Sequence, residues 1–274
     1  MPLLPLLLAL LLPTPAAAAT VGDLFDGLEA LVPAVAASPA TRADFEALAT
    51  DHGLARDESA YLTYVRVKIA FEATRAGGLW HARWAITDQE PRSDRLWQAW
   101  ATGDSDDAVL AECDELSALF GVVARELGVA DVGLFWPTWN HTVAVWTAPA
   151  ADGGTHRIVV PTSQVFLDPE DTLGTRAFDP STQRTIHRYG RVDVRRDAPL
   201  EDGRLRTFLA QVEAMAPASA SVLQALRNLR ELRSGGLVGA SAVVRYLDER
   251  LQPLDHPQDL AAVGAFRREI DAAR

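Results

Sequence analysis

One cysteine and one histidine hold the most reactive chemistry this sequence offers. Cys113 is the only cysteine among 274 residues and stands in Ala111-Glu112-Cys113-Asp114-Glu115-Leu116. His141 closes the run Phe135-Trp136-Pro137-Thr138-Trp139-Asn140 and precedes the apolar stretch Thr142-Val143-Ala144-Val145-Trp146. A thiol becomes a nucleophile when an imidazole lies within about 4 Å of the sulfur and a third group orients the ring. The third group follows from strand register. A two-residue Asp152-Gly153 turn pairs Ala151 with Gly154 and, counting back along both strands, His141 with Gln164. A longer loop moves the partner to Ser163, to Thr162 or, at the extreme, to Val160, and Asp168 is the nearest carboxylate beyond that strand.

A bland reading stands beside the reactive one. Leu116, Phe120, Val123 and Leu127 follow Cys113 at helical spacing, which makes the thiol a small hydrophobe opening an apolar stripe. The reactive reading requires the helix to begin at or just before Cys113. The sulfur then meets unpaired backbone N–H groups and the positive end of the helix dipole. Asp114 and Glu115 suit a first turn but oppose negative charge on the neighbouring sulfur. Periodicity alone leaves both readings open.

The elements that must position this pair have clear signals. Leu24, Leu28, Leu31 and Val32 repeat at helical spacing, and a second helix starts after Ser38-Pro39. Asp57-Glu58-Ser59 opens a third, which carries Tyr61, Tyr64, Val65, Ile69 and Phe71 towards Gly77-Gly78. Residues 108–127 read as a strong helix. Val132 to Trp136, Thr142 to Trp146 and Arg157 to Val160 read as strands, with Ala151-Asp152-Gly153-Gly154 as the turn between the last two. From Leu205 the pattern is helical again, in four segments marked by Phe208 and Met215, Val222 and Leu229, Val238 to Leu251, and Leu260 to Ile270. The class is α+β. Residues 20–104 form an N-terminal helical segment, 105–198 a helix–sheet core and 199–274 a C-terminal helical segment.

Residues 1–19 read as a signal peptide. Leu6 to Leu12 form an apolar run of about ten residues, too short for about 30 Å of hydrocarbon. Pro13 and Pro15 break the run, and Ala16 to Ala19 supply the small residues of a cleavage site near Ala19-Thr20. The expected product is exported, to the periplasm or the medium, with no stable membrane anchor. About 255 residues then remain, enough to bury a proper core. The net charge of −11 repels phosphate backbones, which excludes nucleic acid as a partner. A single thiol forbids an intrachain disulfide. Lys68 is the sole lysine against many arginines, which reads as coding bias.

The order of these features resembles the core of the transglutaminase-like proteins, within the papain-like cysteine hydrolases. The resemblance rests on Cys113 at a helix start, Leu116, Leu119 and Phe120 behind it, and Arg125-Glu126-Leu127-Gly128-Val129 at the helix end. A strand follows, then His141 at the start of the next strand, then a strand ending Val160-Pro161-Thr162. The likeness covers about 60 residues. It implies a helix packed on a small antiparallel sheet. It also implies a thioester-forming enzyme, with Cys113 as nucleophile and His141 as general base and then acid, acting on amides or esters of peptide-like or cell-envelope material. It implies no metal and no organic cofactor. Two positions depart from the family: Ala111 stands where glycine is common, and Val160 where the family places an aspartate before Pro-Thr. Either Gln164 or Asp168 supplies the third group, or the triad is incomplete and the protein does not catalyse.

The remaining features are weaker. Of seven tryptophans, Trp80, Trp84, Trp136 and Trp139 either line a cleft for a peptide or glycan or belong to the core. With Asn140, the residues Trp80, Trp136 and Trp139 are the substrate-binding candidates. A non-catalytic binding module using that cleft is therefore the alternative function. Asp88, Glu90 and Asp94 read as a solvated loop. The other histidines show no metal-ligand spacing.

Overall fold

The computed structural model describes residues 18–74, 83–84, 110–111, 113–138, 141–162, 196–234, 236–249, 251, 254 and 256–272. The architecture is α+β. Four helices lead: α1 (Val21–Ala30), α2 (Val32–Ala36), α3 (Pro39–His52) and α4 (Glu58–Thr74). Two short strands, β1 (Arg83–Trp84) and β2 (Leu110–Ala111), pair in parallel. Helix α5 (Cys113–Glu126) precedes β3 (Val132–Thr138), β4 (His141–Pro149) and β5 (Thr155–Val160). Helices α6 (Asp202–Met215), α7 (Ala220–Ser234), α8 (Ala240–Glu249) and α9 (Pro257–Ala272) complete the described chain. None of the described helices is long and apolar enough to cross a membrane.

Local chemistry sets the helix boundaries. Thr20 caps α1 through a capping box, accepting from Asp23 N–H while the Asp23 carboxylate accepts from Thr20 N–H. Ser38 caps α3 ahead of Pro39, and Gly53 ends that helix at φ 62°. Asp57 receives the Ala60 N–H at 3.0 Å and opens α4. Helix α5 closes in a Schellman motif: Gly128 sits at φ 83°, its N–H bonds Arg125 O, and Val129 N–H reaches Ala124 O. A β-carbon at Gly128 would meet nothing within 4 Å, so the glycine serves the backbone angle alone.

Helix α4 is the axis of the molecule. Tyr61, Tyr64, Val65, Val67, Ile69, Ala70 and Ala73 are buried, and Ser59, Leu62, Thr63 and Arg66 form a less buried stripe over its first half. From Val67 onward nearly every residue is buried, so that half must be enclosed by other elements. It packs against α2, α3, α5, α6 and β4. One continuous core joins α1, α2 and α3 to α4, α5, α6 and one face of the three-stranded sheet. Period-2 alternation divides the sheet. Ala144, Trp146, Ala148, Ile158 and Val160 enter that core, while Phe135, Val143, Val145 and Val159 cluster on the opposite face. A second core lies among α7, α8 and α9, centred on Leu226, Leu247 and Phe266.

The sheet is an antiparallel meander in the order β3-β4-β5. Its second hairpin departs from the expected register by one residue: Ala144 faces Val160 and Pro149 faces Thr155. The turn has three residues, not two. Ala150 N–H bonds Gly154 O, Gly153 N–H bonds Ala150 O, and Gly153 takes φ 85°. The link between α3 and α4 holds this loop: Ala151 N–H donates to Gly53 O and Ala55 N–H to Pro149 O, each at 2.9 Å. Asp152-Gly153 suits either loop length, and these long-range bonds select the longer one.

Lys68 corrects another expectation. It is 4% exposed, and its ammonium donates to Asp44 Oδ2 at 3.0 Å, Thr41 Oγ1 at 3.1 Å and Ala218 O at 2.5 Å. Asp44 Oδ2 also accepts the Ala220 N–H that begins α7. Three acceptors converging on one point suit a compact ammonium with three protons better than a planar guanidinium. The single lysine thus locks α4 to the joint between α6 and α7.

Candidate functional site

Helix α5 begins at Cys113. The expected helix over 108–127 is shortened because Leu110 and Ala111 pair with Arg83 and Trp84 as strand. Their backbone groups are engaged sideways, and helical turns start only after them. The thiol therefore sits at the N-terminal end of the helix, and its residue is partly exposed rather than sealed in the core. The bland reading placed it among the buried leucines. Leu116, Leu119 and Phe120 are buried there without it.

The sulfur accepts a hydrogen bond from the Thr142 N–H at 3.4 Å. Thr142 directly follows His141, which opens β4. Covalent geometry then puts the His141 Cα no more than about 6 Å from the sulfur. The backbone of His141 is described, and its side chain lies outside the described residues. The helix N-terminus and the Thr142 N–H both turn the positive ends of their dipoles towards the sulfur.

Ser117 fastens the same junction one turn into α5. Its hydroxyl donates to Cys113 O at 2.6 Å and lies 3.3 Å from Thr142 O and 2.7 Å from Thr162 Oγ1. Thr142 thus has its N–H against Cys113 Sγ and its carbonyl within 3.3 Å of Ser117 Oγ. Thr162 is fully buried, and its carbonyl accepts from Arg227 Nη2 at 3.0 Å. Arg227 is itself 1% exposed and stacks 5.3 Å from the Phe71 ring of α4. The chain bends after β5, where Thr162 N–H bonds Val160 O, so the regular ladder ends at Val160.

This ending corrects the reasoning for the third group. Of the registers the sequence left open, the three-residue turn takes the one that counts His141 opposite Ser163 rather than Gln164, and Ser163 lies outside the described residues. Gln164 and Asp168 themselves lie outside the described residues. Val160, at the position where the family has aspartate, is fully buried in the main core. Trp80, Trp139 and Asn140 lie outside the described residues, and Trp136 contributes its backbone to β3 while its side chain lies outside them. Trp146 is buried in the core.

Sequence reasoning overlooked Ser117, Thr142 and Arg227 as parts of the site. Ser117 had a usable signal, since it lies four residues after Cys113 on the same helical face. Thr142 acts through backbone atoms that no residue type announces. Arg227 is distant in sequence and carries no local mark. Away from this junction, a cleft of about 640 Å³ opens beside α6, α7 and α9, with Phe208, Gln211, Met215 and Arg230 in its walls. Arg230 is clasped there by both carboxylate oxygens of Glu269, at 2.9 and 2.7 Å. The chain matches no known protein-family model, and it finds no similar curated protein and no similar solved structure.

Proposed function

We propose that this protein is a cysteine-dependent hydrolase or acyl transferase of transglutaminase-like, papain-like design. Cys113 is the nucleophile and His141 its base. The supporting observation is the hydrogen bond from Thr142 N–H to Cys113 Sγ. It brings the sulfur of a partly exposed cysteine at a helix N-terminus against the strand residue that follows His141. In this reading His141 takes the thiol proton and the thiolate adds to an amide or ester carbonyl. Collapse of the adduct forms a thioester, and the departing amine or alcohol receives the proton from the imidazolium. Water or a second amine, deprotonated by His141, then attacks the thioester and returns the thiol. Gln164 and Asp168 are the candidates to orient the ring, and Trp80, Trp136, Trp139 and Asn140 to hold a peptide-like or cell-envelope substrate. The N-terminal leucine run assigns the protein to the exported class, which the first residue of the mature chain tests.

The rate of alkylation by iodoacetamide across pH 5–9 tests the proposal. The expected result is rapid labelling of Cys113 well below the ordinary thiol value of about 8.5, moved back towards it by His141→Ala. Labelling that requires denaturation, or an ordinary profile indifferent to His141, overturns it. A second reading draws on the burial of Val160 where the family has a carboxylate: the same fold binding a ligand without turnover. An ordinary accessible thiol, together with ligand binding that survives Cys113→Ser, favours that reading.

A further inference from the structure

We infer that Ser117 is a positioning residue for the Cys113–His141 pair, held in place by Thr162, an inference that rests on the thiol reading above. Proton accounting at this hydroxyl is restrictive. A serine hydroxyl has one proton to donate and lone pairs to accept. Its neighbours are two carbonyls, of Cys113 and Thr142, and the Thr162 hydroxyl. Carbonyls only accept, so the single Ser117 proton is shared in a three-centre bond, mainly with Cys113 O at 2.6 Å and secondarily with Thr142 O at 3.3 Å, and the Thr162 hydroxyl donates to Ser117 Oγ. Thr162 is fixed in turn by Arg227, which donates to its carbonyl. The chain of bonds therefore has one direction, from α7 through the bend after β5 to the first turn of α5.

What it holds is the Thr142 peptide. That residue gives its N–H to the Cys113 sulfur and directs its carbonyl at Ser117. With both contacts present, the start of β4 keeps a defined distance and rotation relative to the sulfur. With the hydroxyl removed, the Thr142 carbonyl loses this tie to α5 and the long sulfur contact remains. Helix α5 has enough apolar anchorage in Leu116, Leu119, Phe120 and Val123 to stay folded without Ser117. The loss falls on the alignment of the pair, and small misplacements of reacting groups are costly in rate.

The experiment measures Cys113 alkylation against pH in the full chain for wild type, Ser117→Ala, Thr162→Val and Thr162→Ser, with urea midpoints taken alongside. Ser117→Ala and Thr162→Val are expected to slow labelling near pH 6.5 by on the order of tenfold and to move the profile towards that of His141→Ala. Thr162→Ser keeps the donor and is expected to retain the wild-type profile. If Ser117→Ala fails to fold, the comparison of Thr162→Val with Thr162→Ser still decides. An activated wild-type thiol with unchanged profiles in the folded variants overturns the positioning role and leaves the thiol reading standing. A wild-type thiol that is ordinary and indifferent to His141 overturns both.

Discussion

Replacing Lys68 by methionine removes the charge that holds three segments together while keeping most of the apolar stem. The ammonium is 4% exposed and the paired Asp44 side chain 19%. Breaking a buried ion pair from one side costs about 3–5 kcal/mol, because the remaining charge stays desolvated. The partial exposure of Asp44, and the Ala220 N–H it still accepts, reduce that figure. The Ala218 carbonyl, left without its donor at 2.5 Å, adds to it on the scale of about 1–3 kcal/mol for a lost buried partner. We expect a net loss of about 3 kcal/mol, read as a lower urea midpoint at unchanged slope. Lys68→Arg should not restore the wild type, since a planar fork cannot direct donors at Asp44, Thr41 and Ala218 together and its extra volume overfills the site. Adding Asp44→Asn to Lys68→Met should recover part of the loss, because it discharges the orphaned carboxylate and keeps an oxygen for Ala220 N–H. A loss below about 1 kcal/mol in Lys68→Met, or a double variant weaker than the single, would refute the assignment of a stabilising buried pair.

Two further outcomes are expected. Burial holds the Tyr64 hydroxyl well above its ordinary value, with the nearby Asp44 carboxylate and Tyr61 acting in the same direction. A folded-state value raised in this way leaves stability intact below the unfolded value of about 10, and stability falls as pH rises beyond it and the unfolded state ionises. Melting temperatures from pH 8 to 11 should therefore decline less in Tyr64→Phe than in wild type, and equal slopes would contradict this. At the N-terminus, Ala19 is buried and its carbonyl accepts Leu200 N–H at 2.7 Å, so cleavage after Ala19 would discard a built-in acceptor. Protein recovered outside the cytoplasm should begin at Ala19 or just before it. A start at Thr20 would refute that boundary, and finding the chain only in the cytoplasm with the leucine run intact would refute export.

Much of the architecture was legible along the chain because its causes are local. Ser38-Pro39 and Asp57 start helices through bonds spanning three residues, and Gly128 ends one through its own backbone angle. The apolar run from Val143 to Trp146 reads as a strand, and its two faces enter the two clusters on the sheet. Local pattern misled where a distant partner outweighed it. Leu110 and Ala111 continue a helical run in sequence, yet they pair with Arg83 and Trp84. Asp152-Gly153 permits two loop lengths, and contacts with Gly53 and Ala55 choose between them.

The candidate site divides in the same way. Residue type together with the resemblance singled out Cys113 and His141 as the candidate pair, and periodicity supplied a helix behind the sulfur. The tertiary structure decided that the helix begins at the sulfur and that the sulfur meets the strand beside His141 through the Thr142 N–H. It also decided that Ser117, Thr162 and Arg227 converge on that junction, and that the lone lysine is a buried lock. Each of these depends on backbone atoms or on partners far apart in the chain. A one-dimensional pattern records which side chains recur and at what interval, but not which polar group another must satisfy once water is excluded.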